Sequence, residues 1–377
     1  MTRTCLGFCG ALLLVSQLSF VAAQDDLPPP PKGQTPSRAT ELEDLTDLLD
    51  NAVQEIVEGL GSEATDEQRA AAQQKVNSLV DATRDKVYAL AKAAPKDAVS
   101  LSAIEWLSQF QDLPADQSAA IHSWLMQYHT GSPRLMGLMQ LLETGELTAE
   151  QRKFLEAVAD KNAFGPMRGQ ALLTIARSLA SDADAPALKL EQRKPLRADA
   201  KKILQRLKSE FGKIEGPDGP YGEIADSEIY TLEKLSVGNP APAAAAVDLE
   251  GQPVNLESYR GKVVVFDAWA TWCGPCVAML PHERELVTRL KDQPFALISV
   301  SVDDDRQTVK AFQTDEPMPW TNWWVGPEGK LLQTWRIERF PTIYVLDAQG
   351  VIRFKDLRGF ELDAAVDALL KEAAAAQ

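Results

Sequence analysis

The sequence predicts two folded domains, an all-α domain over 39–211 and then an α/β domain over 236–377 with helices on both faces of its sheet. Two patterns carry that prediction. Through the first stretch, apolar residues recur every three or four positions, the period of a helix with one buried face. In the second, short β-branched runs alternate with helix-like segments, as in a sheet buried on both sides. A length of 377 residues suits two domains, and 45% hydrophobic residues can build real cores. The net charge of −15, with no basic run, argues against nucleic acid or an anionic membrane as a partner.

Residues 1–23 read as a secretory signal. Arg3 supplies the positive start, Leu6 to Val15 the apolar stretch, and Val21-Ala22-Ala23 the small residues of a cleavage site before Gln24. Ser16, Gln17 and Ser19 interrupt the roughly 20 apolar residues that a membrane span would need. The expected location is periplasmic or otherwise extracytoplasmic, with membrane tethering if the signal stays uncleaved. Cys9 follows Phe8 and precedes the apolar stretch, a poor arrangement for lipidation. Cys5 and Cys9 leave with the signal, so the mature chain keeps only Cys273 and Cys276. A single CxxC pair in an oxidising space is not a disulfide-stapled scaffold. Residues 24–38, rich in Pro, Gly and Ser, form a polar tether with nothing to bury and are expected to be disordered.

The helical stretch begins with Leu42, Leu45, Leu49, Val53, Ile56 and Leu60, and continues with Val76, Leu79, Val80, Thr83, Val87 and Leu90. Further segments follow around 104–110, 119–128, 135–142, 154–158, 167–179 and 198–207, with starts at Thr65, Pro114, Pro133, Thr148 and Pro166. Trp106 and Trp124 read as core aromatics, and His122 and His129 as histidines on the edge of that core. No ligand or partner for this domain can be read from its residues. Gly212, Gly216, Pro217, Gly219, Pro220 and Gly222 mark 212–235 as a linker. The strands expected after it are Val263 to Phe266, Leu297 to Val300 and Thr342 to Leu346.

Cys273 directly follows the first of these strands and precedes a helical pattern over Cys276–Leu290, with Pro275 suited to its first turn. A helix N-terminus presents unpaired N–H groups and partial positive charge, which favour a thiolate over a thiol. The second cysteine sits one turn deeper, where it can attack a mixed disulfide formed by the first. Zinc would need about four ligands, and only His282 stands near the pair. A structural disulfide closing so small a loop would stabilise little. Dithiol chemistry is therefore the expected activity.

Trp269-Ala270-Thr271-Trp272-Cys273-Gly274-Pro275-Cys276 resembles the thioredoxin active-site signature. Val237 to Pro242, Gly251, and Leu256 to Lys262 resemble the N-terminal hairpin of the extracytoplasmic TlpA/ResA-like branch. Arg339-Phe340-Pro341-Thr342 is similar to that family's cis-proline loop, and Asp347-Ala348-Gln349-Gly350 to its closing hairpin. The resemblance covers about 235–377 and implies a thioredoxin fold, a mixed sheet with an N-terminal β-hairpin. It implies that Pro341 is cis and that Pro341, Phe340, Trp272, Gly274 and Pro275 meet the substrate. It also implies that Asp267, six residues before Cys273, takes the proton of the deeper cysteine. A carboxyl in so apolar a strand is costly unless protonated or partnered, and a purely structural Asp is the competing reading. Met279 departs from the family, which commonly has Glu there, and this weakens apocytochrome c as the substrate.

These readings imply an exported protein-disulfide oxidoreductase acting on disulfides of exported proteins. Cys273 attacks and Cys276 resolves, without cofactor or metal, and a membrane thiol-transfer protein supplies electrons. The Gly-Pro pair resembles that of reducing family members, so reduction is the expected direction. The competing classes are a thiol peroxidase and a partner-binding protein led by the helical domain. Trp320, Trp323, Trp324 and Trp335 precede the proline loop in what reads as an insertion; two or three are expected in its core, the rest on a partner-binding face.

Overall fold

The computed structural model describes residues 37–375 apart from 62, 63, 111 and 144. The predicted signal lies outside the described residues, as does the proline-rich tether up to residue 36. Among the described residues, no helix is long and apolar enough to cross a membrane. The chain divides into two compact units between Ala171 and Leu172.

The first unit holds α1 (Arg38–Glu58), α2 (Asp66–Ala93), α3 (Ala98–Leu107), α4 (Ala115–Trp124), α5 (Met136–Glu143) and α6 (Ala149–Lys161). Thr65 and Thr148 cap α2 and α6, each exchanging hydrogen bonds with a Gln three residues on. Helices α1, α2 and α3 pack on one another. Trp106 is buried beside Phe110, and Trp124 stacks on Tyr88 with ring centroids 5.6 Å apart. His129 is buried rather than placed at the edge, with Nε2 2.8 Å from the Pro95 carbonyl. Burial, the main influence, holds its pKa below the usual histidine value. His122 bonds only to its own helix, at Ser118 O. These four residues serve separate local contacts.

The stretch expected as a linker is folded. After α7 (Gly165–Asp184) and α8 (Leu190–Phe211) comes a two-residue hairpin, β1 (Glu215–Gly216) with β2 (Gly219–Pro220), and then α9 (Tyr221–Lys234). The glycines allow close backbone approach instead of flexibility. A Cβ on Gly222 would lie 2.9 Å from Gly212 O, the carbonyl that accepts the Gly222 N–H. That approach packs α9 on α8, with Tyr221, Ile224, Ala225 and Leu232 buried. Residues from 172 onward thus belong with the sheet. Asp184 accepts from Val237 N–H and pairs with Arg197 and Lys355, each at 3.1 Å, and the Tyr230 hydroxyl donates to Thr334 O.

The seven-stranded sheet has the order β4-β3-β7-β6-β5-β8-β9. Its strands are β3 (Ala245–Asp248), β4 (Pro253–Asn255), β5 (Val263–Trp269), β6 (Phe295–Ser301), β7 (Thr321–Trp324), β8 (Thr342–Leu346) and β9 (Ile352–Lys355). Pairs β5–β6 and β6–β7 are parallel and the others antiparallel, so the sheet is mixed, and β3–β4 form the expected hairpin. Helices α10 (Gly274–Val277), α11 (Leu280–Arg289), α12 (Arg306–Asp315), α13 (Lys330–Trp335) and α14 (Gly359–Ala375) complete the domain. The expected continuous helix from Cys276 to Leu290 is broken at Ala278 and Met279, and Pro281 opens the second part.

Alternation along β5 separates two cores. Val264, Phe266 and Ala268 join Leu280, Trp323, Trp335 and Tyr344. Val263 and Val265 join Leu286 of α11, Leu290 just after it, and Leu362, Val366 and Leu369 of α14. Trp323 lies on β7, a strand of the main sheet, and Trp335 on α13; both are fully buried. Trp320 and Trp324 are half-buried against the same core and donate to Ser299 Oγ and Asp303 O. Two of the four tryptophans are thus core residues, as expected, and the other two line the edge of that core.

Candidate active site

Cys273 stands at the end of β5 as the cap of α10, its Sγ accepting the Cys276 N–H at 3.2 Å, and the two cysteines are joined as a disulfide. Pro275 lies in the first turn, where its missing N–H costs nothing. Burial barely separates the two cysteines, so position distinguishes them. Cys273 faces the helix N-terminus, where orphan N–H groups favour negative sulfur, while Cys276 lies within the helix.

The loop before the motif is held from below. Asp303, buried after β6, accepts from Thr271 N–H, Thr271 Oγ1 at 2.7 Å and Ser301 Oγ at 2.8 Å. Trp272 then projects into solvent at 67% exposure, its ring edge-on to Phe340 at 5.7 Å. The Phe340–Pro341 bond is cis, Pro341 is buried, and Thr342 opens β8. Gly274 and Pro275 are exposed, and a Cβ on Gly274 would meet nothing within 4 Å. The Trp272–Phe340 contact thus joins the proline loop to the disulfide motif, which presents an aromatic edge and an open Gly274-Pro275 step between the cysteines. Such a surface suits an extended chain carrying sulfur.

Asp267 lies on β5 between Ser299 of β6 and Ile343 of β8. It is buried, with Oδ1 lacking a hydrogen-bond partner. Its pKa stands well above the usual carboxylate value, because of burial first and then the nearby Glu283, with Arg358 opposing. Glu283 is the residue that sequence reasoning missed. It is 2% exposed on α11, its Oε2 also lacks a partner, and burial pushes its pKa up to about 7. The available signal was an acid in a helical stripe that otherwise reads Met279, Leu286, Leu290. Met279 itself packs against the core shared by α11 and α14.

A family model described as Redoxin matches residues 236–370. The thiol-disulfide oxidoreductase ResA of Bacillus thuringiensis subsp. konkukian is 28% identical over 142 residues, 37% of this chain and 80% of that protein. A ResA of Bacillus cereus is 30% identical over 122 residues, 32% of this chain and 69% of that protein. Among solved structures, the thioredoxin domain of a thiol-disulfide oxidoreductase from Bacteroides vulgatus is 29% identical. It covers 36% of this chain and 99% of that one, with a TM-score of 0.35.

Proposed function

This chain belongs, through its C-terminal domain, to the thiol-disulfide oxidoreductases of the thioredoxin superfamily, and we propose that it is an exported reductant of disulfides in extracytoplasmic proteins. The observation that carries the reading is the Cys273–Cys276 disulfide at a helix N-terminus, flanked by exposed Trp272 and by the Phe340–Pro341 loop. Export rests on the leader pattern of residues 1–23, and the reducing direction on the Gly274-Pro275 spacer.

In the reduced protein, the Cys273 thiolate attacks one sulfur of the substrate disulfide. The first substrate thiolate departs and takes a proton from solvent, leaving a mixed disulfide on Cys273. Asp267 then accepts the Cys276 proton, and the Cys276 sulfur attacks Cys273 Sγ. The second substrate sulfur leaves as a thiolate and is protonated from solvent as the intramolecular disulfide closes, and Asp267 returns its proton to solvent. Two electrons have passed from the protein's dithiol to the substrate, and a membrane thiol-transfer protein restores them. Backbone groups of the loop beside Pro341, before β8 enters the sheet, hold the substrate chain next to the disulfide.

Reduction of insulin disulfides with a dithiol donor is the direct test. The full-length protein should turn over repeatedly, and Cys273→Ser should reduce the rate to that of the donor alone. Peroxide consumption without insulin reduction would instead make it a thiol peroxidase, and neither activity would return the lead role to the helical unit.

A further inference from the structure

Along β5, side chains at 263, 265 and 267 point to the face covered by α11 and α14, and the first two are valines in that core. Residues 283 and 286 of α11 and its two flanking cap residues, 279 and 290, form one helical stripe, and Met279, Leu286 and Leu290 pack into the same core. At the end of this apolar layer nearer the disulfide, Asp267 from the strand and Glu283 from the helix interrupt it together. Both are at least nine-tenths buried, and each has a carboxyl oxygen without a hydrogen-bond partner. Few cations offset them. Arg358 is the cation acting on Asp267, and Arg284 the one acting on Glu283. Arg284 is itself engaged by Glu316 and Pro317 O. His282 and Arg289 on α11 pair with Asp363 and Asp367 of α14. Two carboxylates in one apolar layer cannot both ionise cheaply, so protons leave them in linked steps.

We propose that Glu283 is a positioning residue for proton transfer, forming with Asp267 one proton-holding pair that governs how readily Asp267 accepts the Cys276 proton. The inference rests on the role proposed above for Asp267. As Cys276 resolves the mixed disulfide, its proton moves to Asp267; the Cys276–Cys273 sulfur bond forms, and the Cys273–substrate sulfur bond breaks to release a thiolate that solvent protonates. Glu283 transfers nothing to sulfur. Once ionised it raises the proton affinity of Asp267, and while protonated it releases that hold. The raised pKa of both groups agrees with this arrangement.

The test is the pH profile of the resolution step, followed by stopped flow in full-length parent, Glu283→Gln and Asp267→Asn proteins after mixing with a model disulfide. In Glu283→Gln the inflection should move down by about one pH unit, since Asp267 no longer titrates against a second carboxyl. An unmoved profile in a folded Glu283→Gln protein overturns the pair, even if the melting temperature changes. Should that variant fail to fold, the carboxyl carbons of the parent can be titrated by NMR: linked two-step curves at both residues support the pair, and independent single steps overturn it. Asp267→Asn separates the two claims. Loss of the inflection there, with none of the shift in Glu283→Gln, removes Glu283 alone. An unchanged profile in Asp267→Asn removes the base itself, and this inference with it.

Discussion

At the residue scale, Asp267 and Glu283 set how stability follows pH. Glu283 has an ordinary pKa of 4.5 when unfolded and about 7 when folded, so between those values the folded chain holds a proton that the unfolded chain has lost. Stability from this group is therefore fully present below about pH 4.5 and is lost as pH rises through about 7, an effect of about 3 kcal/mol. Asp267, also raised, acts in the same direction. The oxidised protein should resist urea better at about pH 5 than at about pH 8, and Glu283→Gln should flatten much of that difference. Equal or greater stability at the alkaline end would contradict the raised values. Asp267 was legible in sequence, because an acid interrupting Val263 to Trp269 stands out in a strand. Glu283 was not, because a helix tolerates an acid on any exposed face, and only the packing of α11 on β5 shows which face it occupies.

At the element scale, the legible features were those whose causes are local. Thr65 and Thr148 announce helix starts because each is followed at the third position by a Gln that completes the cap. The runs at 263, 297 and 342 announce strands because β-branched residues fill a pleated, buried surface. Residues 212–235 misled because their glycines and prolines are also turn residues; Gly212 and Gly222 serve a backbone contact between elements distant in sequence. The consequence is measurable. A fragment beginning at 236 lacks α8, α9 and Asp184, and so loses the pairs to Lys355 and Val237 N–H, the Tyr230–Thr334 bond and the buried Leu235. It should melt about 5–10 °C below a fragment beginning at 172, corresponding to about 2–3 kcal/mol. Equal melting temperatures would return 212–235 to the role of a passive connector.

At the scale of the whole molecule, the disulfide domain occupies the C-terminal third, with α7 from Leu172 onward, α8 and α9 added to its unit and a separate helical unit before it. The thioredoxin-like part was readable because its chemistry compresses into Trp272 to Cys276 and a distant Phe340-Pro341. The helical unit gives no comparable signal, since its aromatics and histidines are spent on local packing. In the proposed reaction, turnover depends on Cys273 attacking and Cys276 resolving. The most direct measurement mixes reduced full-length Cys276→Ser with insulin, quenches with acid and locates the adduct by mass spectrometry. A stable mixed disulfide on Cys273 is the predicted result, absent from the parent protein because resolution removes it. Trapping by Cys273→Ser through Cys276 instead, or no adduct with either variant, would contradict these roles.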